Sequence, residues 1–223
     1  ITDLRKVSLR TLVANDTTAE VFAGNDDVDN CESAQGGDVV LVRPVAQLNI
    51  ATTAAGLQLG TERVNPTQSM VIVDGLFDTY NAATGTAGTK DSRTYAGPTD
   101  DTPNVPGTDF KNDYKLMATN YLGFIPQDGD NVEVTFTIKT SEGDITHTVS
   151  NVPVKANYKT NIIGNLISAT ADYNVTLGAW GTEETNVEIW DGKTISTPDF
   201  DATTQTWTID NGAELAWVAA FVN

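Results

Sequence analysis

The sequence is short of the residues on which reaction chemistry usually rests. Among 223 residues there is one histidine, His147, and one cysteine, Cys31. A single cysteine excludes an intrachain disulfide. One Cys and one His leave too few nitrogen and sulfur ligands for a zinc site. A Cys–His dyad would need Cys31 and His147 to meet, and the residues flanking them carry no pattern that supports it. No stretch approaches the roughly 18 apolar residues of a membrane-spanning helix. Positive charge is scarce as well. Thirteen Lys and Arg face 30 Asp and Glu, a formal net charge of -17. Such a surface repels phosphate backbones and anionic lipid, which argues against nucleic acid and against direct electrostatic membrane binding. The sequence opens on Ile1 rather than Met, and no apolar run ending in small residues precedes Cys31. Cys31 therefore does not read as a lipid-attachment cysteine, and the chain is expected to be a processed or partial one.

What is present is β-forming. Hydrophobic residues make up 39% of the chain, enough for a core. Threonine, valine, isoleucine and tyrosine recur, and they suit a pleated, half-buried surface. The clearest signal is a hairpin. Along Asn131–Thr140 one face carries Val132, Val134, Phe136 and Ile138, and the other carries Glu133, Thr135, Thr137 and Lys139. That alternation predicts a strand with one wet face. Ser141-Glu142-Gly143-Asp144 supplies a turn, and Ile145–Val149 returns. Further strands are predicted at Val39–Val42, Val45–Ile50, Ser69–Leu76, Leu116–Ile125, Tyr158–Ile167 and Ala171–Leu177. Pro44 cannot donate to a ladder and marks a bulge, an edge or a strand switch. Residues Ala82–Asp113 read as a long loop rich in Gly, Thr, Pro and Asp.

Helix signals are few. Asp16–Phe22 offers about two turns. Near the end, Asn211 and Glu214 resemble a capping box, and Leu215, Val218, Ala219 and Val222 follow at helical spacing. That helix is apolar on too many sides to stand alone, so it is read as part of a further module. The pattern as a whole predicts an all-β fold, a β-sandwich or barrel.

The candidate chemistry is thin. His147 shares a strand face with Ile145 and Val149 and reads as a packed strand histidine. Two acidic turns, Asp26/Asp27/Asp29/Asn30 and Asp128-Gly129-Asp130-Asn131, lack the spaced oxygen ligands of a calcium loop and read as solvated. With thirty acidic residues, a pair of carboxylates suited to glycoside hydrolysis carries no information. Trp180, Trp190, Trp207 and Trp217 could stack on sugars, but core or interface packing is the expected role. No phosphate-binding glycine loop and no nucleophile elbow is present. The reading is therefore of a protein that is not an enzyme, with no catalytic residue, no metal site and no cofactor.

Several stretches resemble the fimbrillin family, the type V pilin-like surface proteins of anaerobic gut and oral bacteria. They are Arg43-Pro44-Val45-Ala46-Gln47-Leu48-Asn49-Ile50, Tyr114–Leu122, Val152–Ile167 and the alternating run Tyr173-Asn174-Val175-Thr176-Leu177. The resemblance implies an antiparallel β-sandwich of transthyretin-like Greek-key topology across residues 37–180. It implies that residues 1–36 are the tail of a preceding sandwich domain. Residues 181–223 are then a linker and the start of a C-terminal surface module that includes the short helix. It implies a fimbrial subunit or adhesin, tip-like rather than stalk, located at the cell surface on the fimbria or outer membrane. Its partners would be other fimbrial subunits or a host surface ligand, protein or glycan, and its membrane association would run through a lipid anchor outside this chain. Assembly would proceed by β-strand pairing, for which Tyr173, Val175 and Leu177 mark a candidate edge strand. The alternative expectation is a carbohydrate-binding surface lipoprotein domain.

Overall fold

The structure is a computed structural model. It describes residues 7–8, 13–16, 21–23, 41–59, 62–97, 103–111, 114–167, 172–180, 185–187, 195–201, 203–209 and 212–222. Cys31, Trp190, Asn211 and the acidic cluster at 26–30 lie outside the described residues. The chain divides into two compact units, residues 1–185 and residues 186–223.

The first unit is built on strands β1 (Val45–Thr53), β2 (Pro66–Phe77), β3 (Lys90–Tyr95), β4 (Tyr114–Phe124), β5 (Asp130–Thr140), β6 (Gly143–Val154), β7 (Tyr158–Asn165) and β8 (Asp172–Ala179). They belong to one ten-stranded mixed sheet in the order β6-β5-β2-β4-β1-β7-β8, followed by the short strand Thr185–Val187. β3 pairs with β2, and Asp109–Phe110 pairs with β4, off this path. One paired position, Phe77 opposite Phe124, joins β2 to β4. The sheet curls at that seam. β6-β5-β2-β3 make one layer of the sandwich and β4-β1-β7-β8 the other. Away from the seam the layers also meet, where the Thr160 hydroxyl of β7 donates to the Pro153 carbonyl of β6 at 2.7 Å.

Period-two burial produces this arrangement. On β5, Val132, Val134, Phe136 and Ile138 are buried, while Asn131 and Glu133 on the other face are exposed. On the second layer Leu48, Ile50, Ile162 and Val175 share one inward face through the registers of β1, β7 and β8. Each such aliphatic side chain contributes on the order of 1.5–3 kcal/mol by leaving water. Bulges set the curl. The register of β2 against β3 shifts between Asp74 and Leu76, and Gly75 there has φ of 101°, open to glycine and strained for other residues.

The all-β fold is as expected, with differences of detail. The sheet is mixed, because β7 pairs with β1 in parallel, Ile162 opposite Ile50. A parallel pair needs a long crossover, and most of the unit's chain lies between these two strands. The second difference is within the expected loop Ala82–Asp113, which contains β3. Its exposed residues Lys90, Asp91, Ser92 and Thr94 carry no hydrophobic alternation, and Tyr95 alone on it is buried. Val39–Val42 is not seen as a strand: Val42 makes an isolated bridge to Ala23, and residues 39–40 lie outside the described residues. Pro44 stands immediately before β1. Of the expected helix Asp16–Phe22, Asp16, Val21 and Phe22 are non-helical and residues 17–20 are not described.

The second unit, taken by itself, holds a hairpin of Asp199–Asp201 with Thr206–Thr208 and the helix α1 (Gly212–Val222). The carboxylate of Asp201 accepts from the amides of Thr203 (2.7 Å) and Thr204 (3.3 Å), which closes the turn and holds its pKa below the usual carboxylate range. Ser196 N donates to the Ala213 carbonyl at 3.2 Å, tying the hairpin's approach to α1.

Candidate functional site

The sole histidine lies on β6 opposite Phe136, with ring centroids 5.6 Å apart and planes tilted by 53°. It is half-buried on the core-facing side, and its Nε2 is buried without a hydrogen-bond partner. The ring it packs against is a phenyl, which can neither accept its proton nor be activated by it. Among the described residues no group of three or more His, Cys, Asp or Glu could hold a metal ion. In the acidic turn at 128–131, Gly129 has φ of 94°, Asp130 ion-pairs with Lys90 at 2.6 Å, and the Asp130 side chain also accepts from Asn131 N at 2.8 Å. A cation there would first have to displace Lys90.

Trp180 stacks on Tyr121, with centroids 5.6 Å apart and planes within 6°. The Arg43 guanidinium sits 4.6 Å from the centroids of both Trp180 and Phe22, and its Nη1 donates to Asn157 Oδ1 at 3.2 Å. Lys159 covers Trp180 as well, at 4.9 Å. Trp180 therefore packs in a cation–π stack and is not a bare platform. In the second unit, Phe200 and Trp207 face each other across the hairpin at 4.7 Å, and Trp217 of α1 adds to Trp207 at 5.3 Å. Phe200 is 51% exposed and Trp207 48%.

The candidate edge residues fall on β8. Val175 is buried opposite Ile162, Tyr173 is half-buried opposite Gly164, and Leu177 is half-buried opposite Thr160. Burial raises the Tyr173 phenol pKa. In sheet order β8 is followed by Thr185–Val187, so its outer rim is not the plain end of the sheet. The opposite end is β6, which among the described residues pairs with β5 alone. The sequence pattern marks β6 as the return arm of a hairpin. Nothing local distinguishes a return arm that gains a second neighbour from one that does not.

A further feature has no local signal in the sequence. The outward face of the second layer carries a hydrogen-bonded row across four strands. Gln47 Nε2 donates to Thr119 Oγ1 (2.8 Å), and Thr119 Oγ1 to Asn49 Oδ1 (2.8 Å). Asn49 Nδ2 then donates to Asn161 Oδ1 (2.7 Å), and Asn161 Nδ2 to Thr176 Oγ1 (2.9 Å). Asn49, Thr119, Asn161 and Thr176 are buried. Buried amides and hydroxyls satisfied in series fix register between strands. They offer no strong base or nucleophile.

Comparison with solved structures finds similar bacterial proteins, among them three each provisionally named a cell adhesion protein. The one from Bacteroides uniformis is 17% identical, with a TM-score of 0.37 over 64% of this chain and 52% of that one. The one from Bacteroides fragilis is 9% identical, with a TM-score of 0.34 over 64% of this chain and 48% of that one. The one from Bacteroides eggerthii is 13% identical, with a TM-score of 0.32 over 64% of this chain and 57% of that one. The matched region thus spans about half the length of each. No curated protein matches the chain. One family profile matches residues 1–210, and by that match the chain belongs to the family of unknown function DUF6562.

Proposed function

We propose that this chain is a non-enzymatic cell-surface subunit, an adhesin or tip-like fimbrial component, that associates through pairing of β-strand edges. The observation that carries the reading is the outer rim of β6 ahead of its bulge, at one end of the sheet order. β6 runs from Gly143 to Val154 with one strand partner among the described residues. An edge of unpaired N–H and C=O groups templates another chain, and alternate side chains give the contact its specificity. The fimbrillin-like stretches support the same reading by where they fall. Arg43–Ile50 runs into β1, Tyr114–Leu122 lies in β4, and Val152–Ile167 spans the end of β6 and β7. Together they build the sheet and its seam. The site of action is the outer cell surface, reached through an anchor outside this chain, and the partners are neighbouring subunits or a host ligand.

Cells carrying the full gene, fractionated and probed with antibody to this chain, test the reading. The expected result is surface-exposed antigen lost on brief protease treatment of intact cells, with a matching drop in attachment to host matrix. Antigen confined to the cytoplasm would sink it.

A second reading, carbohydrate binding, is favoured by one observation: the half-exposed rings of Phe200 and Trp207. Exposed aromatic faces stack on apolar sugar faces. Glycan-array binding by the chain that is lost in W207A supports this reading, and an array without signal removes it.

A further inference from the structure

The segment of β6 from Ile145 to Val149 reads nearly the same in both directions: Ile145-Thr146-His147-Thr148-Val149. β-branched aliphatic residues stand at its ends, threonines inside them, and histidine at the centre. Only an edge strand can use such symmetry, and β6 is at the end of the sheet order.

Three features single out this stretch. First, its core-facing side is incompletely covered. On β5, Phe136 and Ile138 are 1% exposed, while their partners His147 and Ile145 on β6 are only half-buried. A strand added beyond β6 would cover them. Second, the stretch lacks the devices that blunt natural edges: no Lys, no Pro and no bulge occurs from Ile145 to Val149. The other outer strand of the same layer, β3, does carry them, with exposed Lys90 and Asp91 and half-buried Arg93. Third, the pairable length is bounded. The β5–β6 register shifts where Val132 meets Val152 and Val134 meets Val149, Asn151 has φ of 58°, and Pro153 follows. A long foreign strand would run into that bulge, whereas a short symmetric contact ends before it.

We infer that β6 is a self-recognition edge: two copies of this chain pair β6 with β6, antiparallel, about a two-fold axis through His147. That register sets Ile145 opposite Val149 of the second copy, Thr146 opposite Thr148, and His147 opposite His147. Every pair matches like with like in size and polarity, which a self-complementary interface requires. Cross-strand neighbours lie about 4.5–5.5 Å apart between Cβ atoms. On the outer face the threonine pairs already present within one copy would continue across the axis. These are Thr137 with Thr146 and Thr135 with Thr148, each with hydroxyls 2.9 Å apart. On the inner face the paired Ile145 and Val149 would extend the core.

The inference deepens the strand-pairing reading, on which it rests, by naming the edge and the partner. Its test is made on purified chain in solution, so that its failure is separable from failure of the surface role. Sedimentation velocity over a concentration series is expected to show a monomer–dimer equilibrium. T146K/T148K sets lysines opposite lysines across the axis, and T146E/T148E sets glutamates opposite glutamates. Both threonines are exposed, so the fold tolerates either pair of changes, which circular dichroism checks. Each variant alone is expected to weaken dimerisation by about tenfold or more, because like charges directly opposite repel. An equimolar mixture of the two is expected to restore the dimer, with Lys opposite Glu at every altered position. T94K, on the exposed outer strand β3, is expected to leave it unchanged. A wild-type chain that stays monomeric, a dimer indifferent to both double variants, or a mixture that fails to rescue would overturn the inference. A monomer that still mediates attachment on cells would overturn it alone and leave the surface role standing.

Discussion

Asn49 and Asn161 sit side by side on the parallel pair β1–β7, with Nδ2 of Asn49 donating to Oδ1 of Asn161 at 2.7 Å. Both are almost fully buried, at 3% and 0% exposure. Asn49 also accepts from Thr119, and Asn161 also donates to Thr176, so the two amides form the middle of a row in which each donor points the same way. Aligned donors polarise one another, and a break in the middle leaves polar atoms on both sides unsatisfied.

Replacement of either asparagine by alanine is therefore expected to be destabilising by about 2–3 kcal/mol, the range for leaving buried donors and acceptors unpaired. The double variant N49A/N161A is expected to lose less than the sum of the singles, because the second change removes the group that the first left orphaned. Urea denaturation of the four proteins measures this. Strict additivity would show that the row carries no coupling.

The phenol of Tyr95 closes β3 against β2 at 1% exposure, and burial pushes its pKa well up. Burial raises Tyr80 and Tyr173 in the same direction. A raised pKa means that the folded state holds its proton where the unfolded chain has lost it. Stability from this source is complete below an unfolded pKa of about 10 and falls as pH rises above it. Alkaline titration of the unfolding free energy is expected to show a decline beginning near pH 10, shallower in Y95F than in wild type. Equal slopes would mean that Tyr95 ionises without unfolding.

Arg43 lies between Phe22 and Trp180 with both ring centroids at 4.6 Å, and it holds Asn157. A planar guanidinium can stack on two faces and donate at its rim at once, which an ammonium cannot. R43K is accordingly expected to be destabilising by about 1 kcal/mol and R43A by about 2 kcal/mol, read by thermal unfolding. A fully tolerated R43K would reduce the stack to a simple charge.

How far the fold could be read from the sequence followed burial. Val132, Val134, Phe136 and Ile138 alternate because one layer covers them and water covers the other side, and that alternation placed β5 and its hairpin correctly. β3 was invisible because its side chains are mostly wet and its pairing is made by backbone. The polar row was invisible for the opposite reason. Gln47, Asn49 and Thr119 read as the wet side of ordinary strands, and only the covering of that face turns them into interior residues. The parallel pairing of β1 with β7 is set by side chains more than a hundred residues apart in sequence, as in the Asn49–Asn161 contact, so no local pattern reports it. For the edge, Tyr173, Val175 and Leu177 had the right periodicity. Periodicity reports which side is buried, whereas edge position depends on what lies beyond the backbone rim.

The seam between the two layers offers the sharpest single-residue test of the fold. β2 and β4 meet at Phe77 opposite Phe124, and Gly123 stands next to that position. A Cβ placed on Gly123 would lie 2.9 Å from the carbonyl oxygen of Phe77 and 3.6 Å from the Leu76 side chain. Real Cβ atoms do not approach a backbone oxygen so closely, and the oxygen cannot rotate away as a side chain would. Leu76 and Phe124 are both fully buried, so the neighbourhood has no free volume into which the strands could part. G123A adds one methyl group and is expected to lower stability by about 1–3 kcal/mol through overpacking at the corner. G129A makes the useful contrast. Gly129 has φ of 94° in a half-buried turn where a Cβ would lie 3.1 Å from the Val154 carbonyl oxygen, so its penalty of about 1 kcal/mol comes from local strain and leaves the seam intact. Amide hydrogen exchange separates the two: G123A should loosen protection in β2 and β4 together, whereas G129A should act locally at the β4–β5 turn. If G123A leaves exchange in both strands unchanged, the layers are not joined through the Phe77–Phe124 pair.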